Sequence, residues 1–224
     1  PLKEGTIETK QQSKSFYADF KEGIQTVKNM PWVAAIIIMA AVQLMVVIGI
    51  ESVMLPVVTK SEFKGNFTFA AASAAAGIGG AVSALFWARI KSNKPGLVSV
   101  IAWLFFAAGP LALAFPFASW WVIFSYFVLG ASTEPFGIYW FTALQREVPQ
   151  ELQGRVFSVD HMGSLSLLPL GMALAGPTTN VFGIRNVLIF VVFFHIVTGL
   201  AVLAVPGVTR LKTPEVNSSV SEQN

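Results

Sequence analysis

Read along the chain, apolar residues gather into six long runs, near residues 32–58, 67–90, 96–115, 120–143, 156–182 and 187–205. Each is long enough for a helix to cross a hydrocarbon core, which takes about 20 residues. No ten-residue alternation of apolar and polar positions suggests a barrel. Prolines punctuate the runs where a missing N–H costs least: Pro31 opens the first, and Pro116 and Pro206 sit at the ends of the third and sixth. Ahead of the first run, residues 1–30 are polar, and from Lys14 onward Phe16, Phe20, Ile24 and Val27 recur at helical spacing. That spacing predicts an amphipathic helix leading into the first span.

Between the fourth and fifth runs lies a dense polar island, LQREVPQELQGRVFS, from Leu144 to Ser158. Pro149 suits the first turn of a short helix and Gly154 the left-handed residue that stops one. The expectation is a short helix on the membrane surface, with Arg146, Glu147, Glu151 and Arg155 among the headgroups.

Composition sharpens this picture. Hydrophobic residues make up 54% of the 224 positions and charged residues 12%, against about 25% charged in an ordinary soluble domain. The chain reads as an integral, all-α membrane protein. The net charge of +3 is scattered over connecting segments and forms no basic and aromatic patch, so nucleic acid is not an expected partner. Lys and Arg in the connections instead set orientation. With the N-terminus cytoplasmic, Lys3, Lys10, Lys14, Lys21, Lys28, Arg89, Lys91, Lys94, Arg146, Arg155, Arg210 and Lys212 fall inside, and only Lys60, Lys64 and Arg185 outside. Both termini are therefore expected in the cytoplasm. The expected division is a cytoplasmic linker at 1–30, a transmembrane domain at 31–206 and a cytoplasmic tail at 207–224. Cysteine is absent, which removes disulfides and thiolate chemistry. The first residue is not Met and no leader pattern follows it, so a longer product is expected upstream.

Small residues mark where helices approach closely. The second run carries Ser73, Gly77 and Ala81 and, offset from these, Ala76, Gly80 and Ala84. The fifth carries Gly171, Ala175 and Gly176, with Pro169 able to bend it.

Ionisable residues inside the runs are the strongest functional signal, since a charge at membrane depth costs at least ~2.5 kcal/mol on insertion scales. Two carboxylates qualify. Glu134 is ~14 Å from the cytoplasmic end of the fourth span, near the midplane, and Glu51 is ~28 Å from that end of the first, in the outer leaflet. Each is either a cavity carboxylate, one hydrogen-bonded to neighbouring helices, or one kept protonated by desolvation. Pro135 leaves the Ala131 carbonyl without its helical partner, opening the ladder beside Glu134 to water or substrate. Gln43, eight residues before Glu51 and ~80° round the helix, shares its face and is a substrate-path candidate. Tyr139, Trp140 and Thr142 are substrate-path candidates or interfacial anchors. His195 reads as a neutral, hydrogen-bonded core residue, and Asp160 and His161 as hydrated near the start of the fifth span. No metal-ligand spacing and no cofactor motif occurs.

The run Gln145, Val148-Pro149, Glu151-Leu152, Gly154-Arg155-Val156, Ser158 resembles the loop between the tenth and eleventh helices of major facilitator superfamily transporters, closest to the branch of macrolide-efflux proteins and enterobactin exporters. The segment around Lys21-Glu22-Gly23 is similar to the one preceding that family's seventh helix. The loop 88–96 keeps the basic residues of a family motif and lacks its acidic one. The resemblance implies six transmembrane helices forming one half of the superfamily fold, a 3+3 inverted repeat whose first helices, here those of Glu51 and Glu134, line a central cavity. It further implies an N-terminal six-helix half as partner, a small amphipathic substrate such as a drug, macrolide or siderophore, and efflux by alternating access coupled to protons. The bacterial inner membrane is the implied location. Two other classes stay open. A membrane-embedded enzyme has Asp160, His161 and Ser164 as its candidate cluster, and a non-transporting scaffold or sensor has no use for buried carboxylates.

Overall fold

The structure, a computed structural model, describes residues 16–90 and 94–205. Expectations for Lys3, Lys10, Lys14, Lys91, Pro206, Arg210, Lys212 and the tail 207–224 lie outside these residues. The described residues form helices and no strand. In order they are α1 (Phe16–Lys28), α2 (Pro31–Gln43), a π-helical segment (Leu44–Ile48), α3 (Gly49–Phe63), α4 (Phe67–Trp87), α5 (Pro95–Leu104), a 3-10 turn (Phe105–Ala107), α6 (Ala108–Ala114), α7 (Ser119–Glu147), α8 (Gln150–Leu165), α9 (Leu168–Phe182) and α10 (Ile184–Val202).

Among the described residues, five helical segments are long and apolar enough to cross a membrane: Pro31–Phe63, Phe67–Trp87, Gly96–Ala114, Gln150–Phe182 and Ile184–Val202. The fourth apolar run is helix α7, whose 29 residues suffice in length. Ser125, Tyr126, Ser132, Thr133, Glu134 and Tyr139 are spread along it and interrupt its apolar stretch. Three of the five are compound. The first joins α2 and α3 through the π segment, whose extra residue per wide turn makes the eight-residue step from Gln43 to Glu51 behave like seven, a drift of only ~20°. Both residues are buried.

The polar island departs from its expected form. Val148 is extended (φ −98°, ψ 127°), as a residue before proline prefers, and Pro149 is the N-cap of α8. Gly154 stops nothing: α8 runs through it to Leu165 and its φ is not positive. The left-handed turn is unnecessary because α8 is held from outside. Helix α1 packs along it, burying Val27 with Val156 and Val159. Glu22 pairs with Arg155 at 2.9 Å, and a Cβ on Gly23 would fall 2.7 Å from the Arg155 carbonyl.

Two backbone-close helix contacts organise the rest. Helix α4 packs on α7 through Ala72, Ala75, Gly79 and Ser83, all buried. A Cβ on Gly79 or Gly130 would collide with the backbone at Phe127 or Ala76. Helix α9 packs on the π segment and α3, where Gly49 meets Gly171 and Gly171 meets the Met45 carbonyl. Of the expected packing series, Ser73, Gly77 and Ala81 are exposed within this chain, while Ala76, Gly80 and Ala84 lie at the edge of the α7 contact. Small residues surround α4, and α7 occupies one side of it. In the fifth run Gly171 and Ala175 are buried as the small-residue pattern implies, with Gly176 half-buried.

Candidate functional site

Three polar arrangements sit within the helical bundle. The first is built on α2, α5 and α10. Gln43, fully buried, donates from Nε2 to Thr198 Oγ1 at 2.7 Å and to the His195 carbonyl at 3.3 Å. Its Oε1 accepts from Trp103 Nε1 at 2.5 Å. His195, also fully buried, places Nε2 2.9 Å from the Trp103 carbonyl, and its Nδ1 has no partner among the described residues. Gln43 thus uses both ends of its amide to hold three helices, which is what a buried amide needs in a medium without water.

The second joins α3 to α7. Glu51 is buried, and its Oε1 accepts a hydrogen bond from the Tyr126 hydroxyl. Of the two carboxylates legible in the spans, this one is spoken for by a neighbouring helix.

The third lies between α7 and α4. Glu134 is half-buried and has no hydrogen bond or ion pair among the described residues. Its Oε1 faces Gly80 of α4, 3.6 Å from where a Cβ would stand, so the missing side chain leaves room beside the carboxylate. One turn earlier, the Ala131 carbonyl freed by Pro135 is not open to water: Ser83 of α4 donates to it at 2.6 Å. The accessible polar group at this position is the carboxylate and not the backbone.

Tyr139 is half-buried, with its hydroxyl 3.5 Å from the Ile90 carbonyl and its ring edge-on to Trp87. Thr142 is exposed and bonds back to the Ile138 carbonyl. Both stand about one to two turns from Glu134 toward the α8 end of α7. Pro149, Glu151, Gly154 and Arg155 gather at the start of α8, where Arg155 pairs with Glu22 of α1.

Asp160 is buried and not hydrated as expected: Trp140 Nε1 donates to it at 3.1 Å and Ser164 Oγ at 3.3 Å. His161 is exposed, with Nδ1 3.2 Å from the Phe157 carbonyl and its ring stacked on Phe141. Asp160, His161 and Ser164 therefore do not converge on one reacting atom. Among the described residues no group of three His, Asp or Glu is placed to hold a metal.

Sequence reasoning missed Tyr126, Ser83, Trp103 and Trp140 as the partners of these groups. The demand for them was legible, since a buried carboxylate or a proline-freed carbonyl needs a donor, but which helix supplies it depends on rotation and neighbour order.

Comparison with known proteins adds two findings. The family model described as Major Facilitator Superfamily matches residues 1–165. An uncharacterized MFS-type transporter of Bacillus subtilis (strain 168), YvqJ, is 28% identical over 141 residues, covering 61% of this chain and 32% of that protein. The matched part of the chain thus spans about a third of its relative's length. No solved structure matches.

Proposed function

Because the chain belongs to the Major Facilitator Superfamily, a family of membrane transporters, we propose that it forms the C-terminal six-helix half of a proton-coupled exporter of small amphipathic molecules. Helix α7 is the sixth crossing in this reading. The observation that carries it is Glu134: a half-buried carboxylate on α7 with no partner among the described residues and with space against Gly80. A carboxylate at membrane depth without a protein partner is the arrangement expected of a group that takes up and releases a proton. Glu51, bonded to Tyr126, fastens α3 to α7 and plays the lesser part.

The paired close contacts support a 3+3 inverted repeat. Helix α4, second of its group, packs glycine-tight on α7, the first helix of the other group, and α9 packs in the same way on the π segment and α3. Exchanging the two groups exchanges the two contacts. The exposed Ser73, Gly77 and Ala81 face of α4 and the exposed Met172 and Leu174 on α9 suit surfaces that meet the N-terminal half. That partner supplies the opposing wall, so this chain alone does not transport. The linker helix α1 and both termini lie in the cytoplasm of a cell whose inner membrane holds the protein, as the basic residues of the connections favour. Drugs, macrolides and siderophores are the substrate classes.

The test is transport by the full-length protein in proteoliposomes under an imposed proton gradient. Glu134→Gln is expected to abolish proton-driven efflux at unchanged protein level and substrate binding, with Glu51→Gln milder. Normal transport against a gradient by Glu134→Gln would make the residue structural.

A further inference from the structure

A cavity of about 410 Å³ opens between the end of α3, the end of α6 and the start of α10. Helix α1 packs beside the start of α2, so this cavity lies at the opposite end of the bundle. Its wall carries one carboxylate, Glu62, and one guanidinium, Arg185, together with Ser61, Phe115, Pro116 and Phe117. Neither charge has an ion-pair partner among the described residues. The Arg185 guanidinium carbon sits 4.3 Å from the Phe115 ring centre. This cation–π contact leaves the guanidinium N–H groups for another acceptor.

Both charges stand at the unfavourable end of their own helix. Arg185 is the second residue of α10 and adds a cation to the positive pole, while Glu62 is the last residue but one of α3 and adds an anion to the negative pole. Lys60, on the same last turn of α3, is placed favourably and does not line the cavity. Folding alone would choose the opposite signs. The result is a cavity with two poles: Arg185 with the positive end of α10, and Glu62 with the negative end of α3. The exposed aromatics Phe117 and Trp120 lie at the same end of the bundle, and tryptophan so placed marks the level of lipid headgroups.

We propose that this cavity binds a zwitterion bearing a phosphate and a primary ammonium, the phosphate at Arg185 and the ammonium at Glu62. The chemistry is shared by the headgroup of phosphatidylethanolamine and by soluble glycerophosphoethanolamine. The site is separate from Glu134 and does not depend on the transport reading.

Native mass spectrometry of the delipidated full-length protein tests it, with dioleoyl-phosphatidylethanolamine, dioleoyl-phosphatidylglycerol and glycerophosphoethanolamine as probes. The ethanolamine lipid is expected to bind about tenfold tighter than the glycerol lipid, the value of one charge-assisted hydrogen bond. Glu62→Gln should erase that preference, and Arg185→Gln should weaken both lipids about tenfold, with Arg185→Lys retaining part. Binding of the soluble headgroup with equal strength assigns the site to free ligands, and binding of the lipid alone assigns it to the bilayer. Both side chains are exposed and stand at the unfavourable end of their helix, so melting in lipid-free detergent should not fall in either glutamine variant. Equal binding of the two lipids, or unchanged binding by both glutamine variants, would overturn the proposal.

Discussion

Replacing Ser83 by alanine removes the hydroxyl that donates to the Ala131 carbonyl at 2.6 Å. Nothing in α7 can take its place, because residue 135, whose N–H would reach that carbonyl, is a proline. An orphaned buried acceptor costs ~1–3 kcal/mol in general, but interhelical hydrogen bonds in membrane proteins average ~0.6 and reach ~1.7 kcal/mol. With a short bond at a glycine-tight contact, Ser83→Ala should cost about 1–1.5 kcal/mol. Pro135→Ala supplies the missing N–H, and in that background Ser83→Ala should cost less than about 0.5 kcal/mol, a coupling of about 1 kcal/mol. The cycle is measured by equilibrium unfolding in mixed micelles of mild detergent and dodecyl sulfate. A coupling below ~0.3 kcal/mol, the usual limit of additivity, would refute the claim that Ser83 stands in for the absent helical bond.

Tyr126→Phe strips Glu51 of its donor and should lower stability by ~1–2 kcal/mol in the same micelles, while removing both partners in Glu51→Leu with Tyr126→Phe should recover most of it. Gly23→Val sets a Cβ 2.7 Å from the Arg155 carbonyl. It should loosen α1 from α8 and speed tryptic cleavage at Lys21 and Lys28 about tenfold, equivalent to ~1.4 kcal/mol of lost docking; an unchanged rate would mean that α1 tolerates the clash. For topology, single cysteines at Asn66, Ser92 and Gln150 in this cysteine-free chain should label from outside, inside and inside respectively, and labelling of Ser92 from outside would reverse the orientation.

The helices were legible because a hydrocarbon solvent makes length and apolarity nearly sufficient. Thus the run at 67–90 appears as Phe67–Trp87 and that at 120–143 within Ser119–Glu147. What composition does not encode is rotation about the helix axis. Both small-residue series of α4 have the same spacing, yet the bundle buries Ala72, Ala75, Gly79 and Ser83 and leaves Ser73, Gly77 and Ala81 outside. Glu51 and Glu134 are equally conspicuous as letters in apolar text; only neighbour order gives Tyr126 to one and an empty space beside Gly80 to the other. Gly154 misled for a related reason. A glycine in a polar stretch signals a stop when the helix has nothing to lean on, and α8 leans on α1.

The wide turn at Leu44–Ile48 has a consequence for the history of this chain. Losing one residue from an ordinary helix rotates everything beyond it by about 100° and turns buried positions to the lipid. A single-residue deletion inside this segment would instead let it relax to regular α-helix, with Gln43 and Glu51 keeping the faces they now show. The penalty would fall on the segment's own contacts: the buried Val47 and the seat of Gly171 against the Met45 carbonyl. Length variation among relatives should therefore collect at these five positions, making the segment a scar of insertion that the fold absorbed without re-phasing its core.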